Sequence, residues 1–365
     1  MTHNIIGSDT HIYDSVHYKG YLNKTKMSLM MMSSIWSKYG PASLLDYKSV
    51  AKPVIKPHEL LIRIKATTVC MGDCEMRSLN IGFPFNVFIR LYYGLFKPSK
   101  VISLGQEFAG DIEEVGSAVV CGAHLNQSFK VGDRVFGTSG MQMGCHSQYI
   151  CLNANSNGGT EGVIAKIPTN LTYEEAASFP IGSLESLHFL SLAKLDNTKS
   201  VLIVGAGGSI GTIAVQLAKY YGANVTAIDR TTKMNMLLSI GADSVLDYTK
   251  DDFSKMDILY DVIFDVAGHT TFKTCQNSLK EDGICLLANP TFMQRISSGK
   301  KGSKRIITSL TDYKLEQFNS IVKLFEQGIL KPVIDPNKFT LETLKEAHEF
   351  VETGQKKGAL VVKVN

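Results

Sequence analysis

Val201-Leu-Ile-Val-Gly-Ala-Gly-Gly-Ser-Ile-Gly211 decides the fold of this chain. Val201–Val204 reads as a short strand buried on both faces, since an unbroken apolar run bounded by glycine suits a parallel sheet. Gly205–Gly211 is a tight glycine-rich turn, and Thr212–Tyr221 carries apolar residues at helical spacing. Ala223–Ile228 then reads as a second strand that closes on Asp229, eighteen residues past the last glycine. Strand, turn, helix, strand and acid in that order describe a dinucleotide-binding unit. The glycines let the backbone approach a pyrophosphate, the helix N-terminus offers it free N–H groups, and the acid suits ribose hydroxyls.

Written as x-x-G-x-x-G ending on Gly211, the three key positions are Ala206, Gly208 and Gly211, so the first is not glycine. A glycine turn alone is weak evidence. Its agreement with the flanking strands, the helix and the acid makes a ligand-free turn the poorer reading.

At 365 residues the chain exceeds one usual core, so two domains are expected. A formal charge of +4 over this length does not argue for nucleic acid. No apolar run approaches the ~20 residues that span a bilayer. The seven cysteines are odd in number and scattered, which suits a reducing, cytoplasmic setting. Cys70 and Cys74 form a close pair, but neither a second pair nor a histidine at ligand spacing accompanies them. Residues 1–29 are polar, contain no arginine and lack an apolar core, so they read as a flexible leader with Met27 or Met30 as an alternative start.

The patterning changes along the chain. From Ile35 to Leu152 it is mostly β, with alternation in Glu59–Lys65 and Phe108–Val115, a turn into a strand at Gly132–Gly137, and a further strand over Ser147–Leu152. Phe83–Phe96 is an aromatic and basic insertion of open structure. From Tyr173 onward strands and helices alternate, as in a doubly wound sheet. Expected strands are Val201–Val204, Asn224–Ile228, Ser244–Asp247, Asp261–Asp265, Gly283–Ala288 and Arg305–Ser309. Expected helices include Lys233–Ile240, Thr271–Leu279 and Asp312–Gln327, and Phe339–Asn365 reads as helix then strand. The basic run Arg295–Arg305 reads as a mobile loop, with an anionic contact as its alternative.

Motifs spread over residues 30–365 make the chain similar to the medium-chain dehydrogenase/reductase superfamily, in the zinc-free quinone oxidoreductase (zeta-crystallin-like) branch. In order they are Lys38-Tyr-Gly-Pro41, Pro57-His-Glu-Leu-Leu-Ile-Arg63, Gly105-Gln-Glu-Phe-Ala-Gly110, Val131-Gly-Asp-Arg-Val-Phe-Gly137 and Glu174-Glu-Ala-Ala177. After the fingerprint come Ser239-Ile-Gly-Ala-Asp243, Asp247-Tyr248, Gly328-Ile-Leu-Lys-Pro332 and Glu352-Thr-Gly-Gln-Lys-Lys-Gly358. The resemblance implies an α/β protein with a GroES-like β-rich catalytic domain over residues 30–172, completed by 329–365. A Rossmann doubly wound parallel sheet over 173–328 would be inserted between, with the active cleft where the two meet.

Zinc-dependent relatives hold their catalytic metal with Cys, His and Cys. By family position Cys70 stands at the first site, Gln106 replaces the histidine, and Phe179-Pro-Ile-Gly-Ser183 lacks the second cysteine. One ligand does not make a site that needs three, so no zinc is expected. Without a Lewis acid, alcohol oxidation lacks a means of lowering the hydroxyl pKa. Hydride transfer from NAD(P)H to a quinone, enone or other conjugated carbonyl needs only hydrogen-bond donors and a proton. The expected activity is therefore a zinc-independent oxidoreductase acting on a small conjugated carbonyl.

The resemblance places Cys70, Asp73 and Gln106 as catalytic candidates beside the nicotinamide and substrate. Packing for Cys70 and helix or strand capping for Asp73 are the plainer alternatives. His146 and His188 are further proton-transfer candidates, for which a satisfied structural histidine is the plainer reading. Ala206, Gly208, Ser209, Ile210 and Gly211 are expected around the pyrophosphate and Asp229 and Arg230 at the adenosine ribose. Tyr248 is expected beside the adenosine, Asn289 near the nicotinamide, and Lys357 as a C-terminal contact to the cofactor. Asp229 repels a 2′-phosphate and Arg230 attracts one, a balance read narrowly toward NADH. Relatives suggest a homodimer. Other readings are a catalytically weak, nucleotide-dependent partner-binding protein, with residues 83–100 as its docking patch, and an alcohol dehydrogenase. The preferred reading of 83–100 is the lid of an apolar substrate pocket.

Overall fold

The computed structural model describes residues 29–99, 103–119, 128–268 and 270–365. The expected leader, up to residue 28, and Cys121 lie outside them. The first part of the chain opens with a hairpin, β1 (Met30–Trp36) against β2 (Leu45–Ala51). β3 (Glu59–Val69) runs into helix α1 (Met71–Ser78), followed by α2 (Phe85–Tyr93) and by β4 (Glu107–Val115). Then come β5 (Arg134–Thr138), β6 (Tyr149–Asn153) and β7 (Val163–Lys166). Two helices follow, α3 (Tyr173–Ala177) and α4 (Pro180–Ser191).

The alternating unit begins with β8 (Ser200–Val204), α5 (Ser209–Tyr220) and β9 (Asn224–Asp229). It continues through α6 (Met234–Ser239), β10 (Ser244–Asp247), β11 (Tyr260–Asp265), α7 (Phe272–Ser278) and β12 (Leu279–Leu287). After α8 (Phe292–Ile296) the hairpin β13 (Gly299–Lys301) and β14 (Lys304–Thr308) precedes α9 (Leu315–Glu326). β15 (Phe339–Thr340), α10 (Leu344–Glu352) and β16 (Leu360–Lys363) end the chain.

Two seven-stranded sheets result. One has the order β15-β16-β3-β4-β5-β7, with β6 on β3, so the C-terminal strand completes a sheet begun some 300 residues earlier. The other has the order β10-β9-β8-β11-β12-β14-β13, parallel except for the last pair. The strand order reverses at β8, and an open α/β sheet forms its ligand crevice at the carboxyl end of that point. Hydrophobic burial joins the sheets into one structure. Ala66, Ala109 and Phe136 of the first share a core with Val201, Ile203 and Phe264 of the second. Between them Phe179 stacks on Phe325 at 3.7 Å, while the Phe136 ring meets Phe179 edge-on at 5.2 Å.

One local expectation needs correction, and two elements are new. The basic run 295–305 is not a loop: it ends α8 and builds the β13–β14 hairpin, because Gly302 takes φ +64° in the two-residue turn and lets the strands pair. The insertion 83–96 contains a helix, with Phe88 and Leu91 outward and Arg295 of α8 over the Phe85 ring at 5.1 Å. Nor did periodicity reveal the β1–β2 hairpin, whose second strand is mostly exposed and mostly polar.

Candidate nucleotide and substrate site

Gly208 is the N-cap of α5 and supplies no side-chain cap, so the helix's first-turn N–H groups are open to an anionic ligand. Ala206 is buried, with its amide on Ile228 O at 3.1 Å, which sets the turn on the end of β9. Gly211 is required by contact: a Cβ there would stand 2.4 Å from Gly205 O and 2.5 Å from Ala206 Cα. At Gly208 the nearest atom would be 3.7 Å away, so the loop is open on that side. Gly182 and Ser186 of α4, one helical turn apart, brace α5 from behind; Ser186 Oγ donates to Ile210 O at 2.9 Å.

Asp229 does not present a free carboxylate at the end of β9. It is buried and accepts from the Gly207 amide at 2.8 Å and the Arg230 amide at 2.8 Å. Buried Lys233 pairs with it at 3.0 Å. The expectation that it simply faces ribose is therefore revised, since its charge is already balanced by a cation one helical turn later. Arg230 instead reaches outward, Nε to Tyr248 Oη at 2.5 Å, and Tyr248 is exposed. Asn289 is also exposed, with Nδ2 on Val266 O at 3.0 Å.

The C-terminal segment closes over the glycine turn. Gly358 N donates to Gly207 O at 2.9 Å, and Gly358 forms a bridge with Gly208. Lys357 lies half-buried with its amide on Asp335, whereas Lys356 points inward. Its Nζ donates to Ser209 Oγ at 2.9 Å and to Gly358 O at 2.7 Å, both uncharged oxygens. Burial pulls its pKa down, joined by the charge of Lys233, while Cys70, Glu107 and Asp335 act in the opposite direction. Of the two neighbouring lysines, Lys356 is the one whose side chain reaches the glycine turn, while Lys357 was the one expected there. In an extended segment positions 356 and 358 share a side and 357 faces away, so the need for Gly358 at the turn was the available clue.

On the facing wall, Cys70 caps α1 and its thiol is pushed up by burial and by the nearby Asp73 and Glu107 carboxylates. Asp73 is a capping group: it accepts from Cys70 N at 2.9 Å and from Gly105 N at 3.2 Å, welding α1 to the start of β4. Gln106 Nε2 donates to Gly140 O at 2.9 Å. His146 is buried with Nε2 against Thr68 O at 2.9 Å, and His188 Nε2 meets Ser309 Oγ at 2.9 Å. Burial lowers the pKa of both histidines.

The residue overlooked here is Glu107. It is buried, accepts from the Ile181 amide at 2.9 Å and from Thr68 Oγ1, and burial pushes its pKa up to about 7. Its signal was a carboxylate directly before the apolar stretch Phe108–Gly110. The donor set does not fit zinc: Gln106 offers a carboxamide already engaged with the backbone, and Phe179–Ser183 carries no cysteine, so Cys70 has no partner ligands there. Among the described residues no group of three or more His, Cys, Asp or Glu is placed to hold a metal ion, and no helix is long and apolar enough to cross a membrane.

Comparison with known proteins agrees with this geometry. Residues 56–175 match the alcohol dehydrogenase GroES-like domain and residues 240–362 match the family described as zinc-binding dehydrogenase. The chain is 28% identical over 355 residues to the 2-methylene-furan-3-one reductase of Solanum lycopersicum, covering 93% of this chain and 81% of that protein. It is 28% identical over 352 residues to an NADPH-dependent alkenal/one oxidoreductase of Arabidopsis thaliana, covering 91% and 79%. The solved quinone oxidoreductase of Coxiella burnetii superposes with a TM-score of 0.78 at 26% identity, over 92% of this chain and all of that one.

Proposed function

The chain belongs to the medium-chain dehydrogenase/reductase superfamily, in its zinc-free quinone oxidoreductase-like branch, and we propose that it is an NAD(P)H-dependent reductase of small conjugated carbonyls. The observation that carries this reading is the convergence of two positive features on the glycine turn. The uncapped N-terminus of α5 and the buried Lys356 ammonium, bonded to neutral oxygens, both suit a pyrophosphate. When bound, the reduced nicotinamide supplies a hydride.

The chain's own residues then have separable tasks. Ala206, Gly208, Ser209, Ile210 and Gly211 hold the pyrophosphate with Lys356, and Asn289 borders the nicotinamide. Arg230 and Tyr248 receive the adenosine end. Because Lys233 pairs with Asp229, the acid loses force against a 2′-phosphate, and the half-buried Arg230 supports NADPH over the NADH that the acid alone suggested. Cys70 and Gln106 border the substrate, while Asp73 positions α1 rather than touching reactant. Residues 30–172 with 329–365 serve as the catalytic domain and 173–328 as the cofactor domain. The relatives named for enone, alkenal and quinone reduction support the substrate class.

Fluorescence titration of chelator-treated protein with NADH and NADPH tests this. NADPH should bind more tightly, and the bound cofactor should be consumed by an enone or quinone without added metal. A folded sample that binds neither nucleotide would refute the reading.

A further inference from the structure

Two helices of this chain present apolar side chains to solvent. α2 is apolar nearly all round, and a helix of that kind is ordinarily enclosed. One side is: Ile89 and Tyr93 pack with Trp36 and Leu104. The other side is bare. Val87, Phe88, Leu91 and Tyr92 recur at the spacing of one helix face and are all exposed, Phe88 to 60% and Leu91 to 66%. Phe96, just past the helix, is 87% exposed.

α8 is turned the same way. Its polar residues hold the protein, Gln294 Nε2 donating to Thr270 O at 2.9 Å and the Arg295 guanidinium lying over the Phe85 ring at 5.1 Å. Its apolar residues face outward, with Met293 69% and Ile296 64% exposed. The Arg295–Phe85 contact joins α8 to α2, so the bare side chains of the two helices are neighbours. An exposed apolar patch drawn from two elements marks an interaction surface.

The charge around the patch has one sign. No Asp or Glu occurs between Glu75 and Glu107, or between Asp282 and Asp312. These acid-free stretches carry both helices and the β13–β14 hairpin, which leaves α8 directly after Ser298. On the hairpin Lys300 stands opposite Arg305, and both are exposed. Like charges facing each other across a ladder weaken it, a cost that an anion laid over them removes. Lys97 is exposed beside Phe96. Glu281, which accepts from the Ser303 hydroxyl, meets the hairpin at its turn, the end away from α8.

We propose that this face docks on an anionic lipid surface. Phe88, Leu91, Phe96, Met293 and Ile296 enter the acyl boundary, while Lys97, Lys300 and Arg305 meet the negative headgroups. A bilayer surface offers these two chemistries side by side, which is what the patch requires. A second copy of the chain fits poorly, because a two-fold contact here would set Lys300 and Arg305 against their own equivalents. The docking face does not rest on the reductase reading, although a bilayer would concentrate apolar conjugated carbonyls at the enzyme.

The full-length protein, without nucleotide, is sedimented with vesicles of phosphatidylcholine alone or of phosphatidylcholine with about a third phosphatidylserine. It should bind the anionic vesicles roughly tenfold more strongly and release them near ~0.5 M salt. Lys300→Gln combined with Arg305→Gln should cut partitioning about 25-fold, roughly fivefold for each charge. Phe88→Ser combined with Leu91→Ser should cut it at least about tenfold. Both double variants should melt like wild type, since the altered side chains are exposed. The sole tryptophan, Trp36, is buried, so Phe88→Trp adds an indole whose emission should shift to the blue on anionic vesicles.

Folded protein that ignores anionic vesicles, binds both vesicle types equally, or binds undiminished in the double variants would overturn the proposal. A wild-type dimer that ignores vesicles and dissociates in Phe88→Ser with Leu91→Ser would assign the face to a second copy instead. Binding to soluble polyglutamate but not to vesicles would assign it to an acidic protein. Failure of the reductase reading would show separately, in the nucleotide titration.

Discussion

The Lys356 ammonium donates to the Ser209 hydroxyl at 2.9 Å across 147 positions of sequence, tying the last segment of the chain to the head of α5. That single bond brings a buried lysine to the positive end of a helix, an arrangement that an anion would relieve.

Lys356→Met should therefore separate binding from stability. The variant loses a charge-assisted bond to the nucleotide phosphate, worth roughly 1.5–3 kcal/mol, so affinity should fall about ten- to a hundredfold in a fluorescence titration. Its melting temperature should hold or rise, because an incompletely paired buried cation is removed.

The glycine turn makes a paired forecast. Gly211→Ala puts a methyl group 2.4 Å from a backbone oxygen and should cost about 1–3 kcal/mol in denaturant unfolding. Gly208→Ala meets nothing closer than 3.7 Å and should unfold like wild type, yet bind nucleotide more weakly because its methyl group enters the phosphate approach. Equal stability loss in both would contradict the assignment of the open face.

At the adenosine end, Arg230→Ala should weaken NADPH at least tenfold and leave NADH nearly unchanged, as measured by parallel titrations. Lys233→Met is different in kind. It strands the buried Asp229 carboxylate, and breaking such a pair costs about 3–5 kcal/mol, so thermal stability should drop before any change of cofactor preference is seen.

Glu107 gives the protein a pH signature. Its folded pKa of about 7 lies above the unfolded value near 4.5, so the folded state binds the extra proton between these limits. Stability from this group is whole below pH ~4.5, declines as pH rises toward ~7 and is then lost, a change of about 3 kcal/mol. Glu107→Gln should remove most of the difference between urea unfolding at pH 5 and at pH 8. An unchanged difference would show that other groups cause it.

Periodicity made the alternating sheet readable. β8, β10 and the helix after the glycines lie within a few residues of their expected places, because a strand buried on both faces and a helix with one apolar stripe write their geometry locally. Elements whose stability comes from elsewhere were harder to see. β2 has few buried residues and is held by pairing with β1, and β13 is three residues long and held by β14. Cys70, Asp73 and Gln106 were found by family position, and the structure separates them: Asp73 is spent on two amides and Gln106 on a carbonyl.

By itself, the order of residues determined the doubly wound unit, the glycine turn with Ala206, Gly208 and Gly211, and the nicotinamide chemistry they imply, since each depends on neighbours within about thirty positions. Only the tertiary structure decided that the Lys356 side chain rather than that of Lys357 reaches the glycine turn, that Lys233 pairs with Asp229, and that Glu107 is buried against the start of α4. Local spacing sets which way a side chain leaves its own strand or helix. Which distant group it meets, and so the charge it carries, is set by how the two sheets pack through α4 and the C-terminal strand.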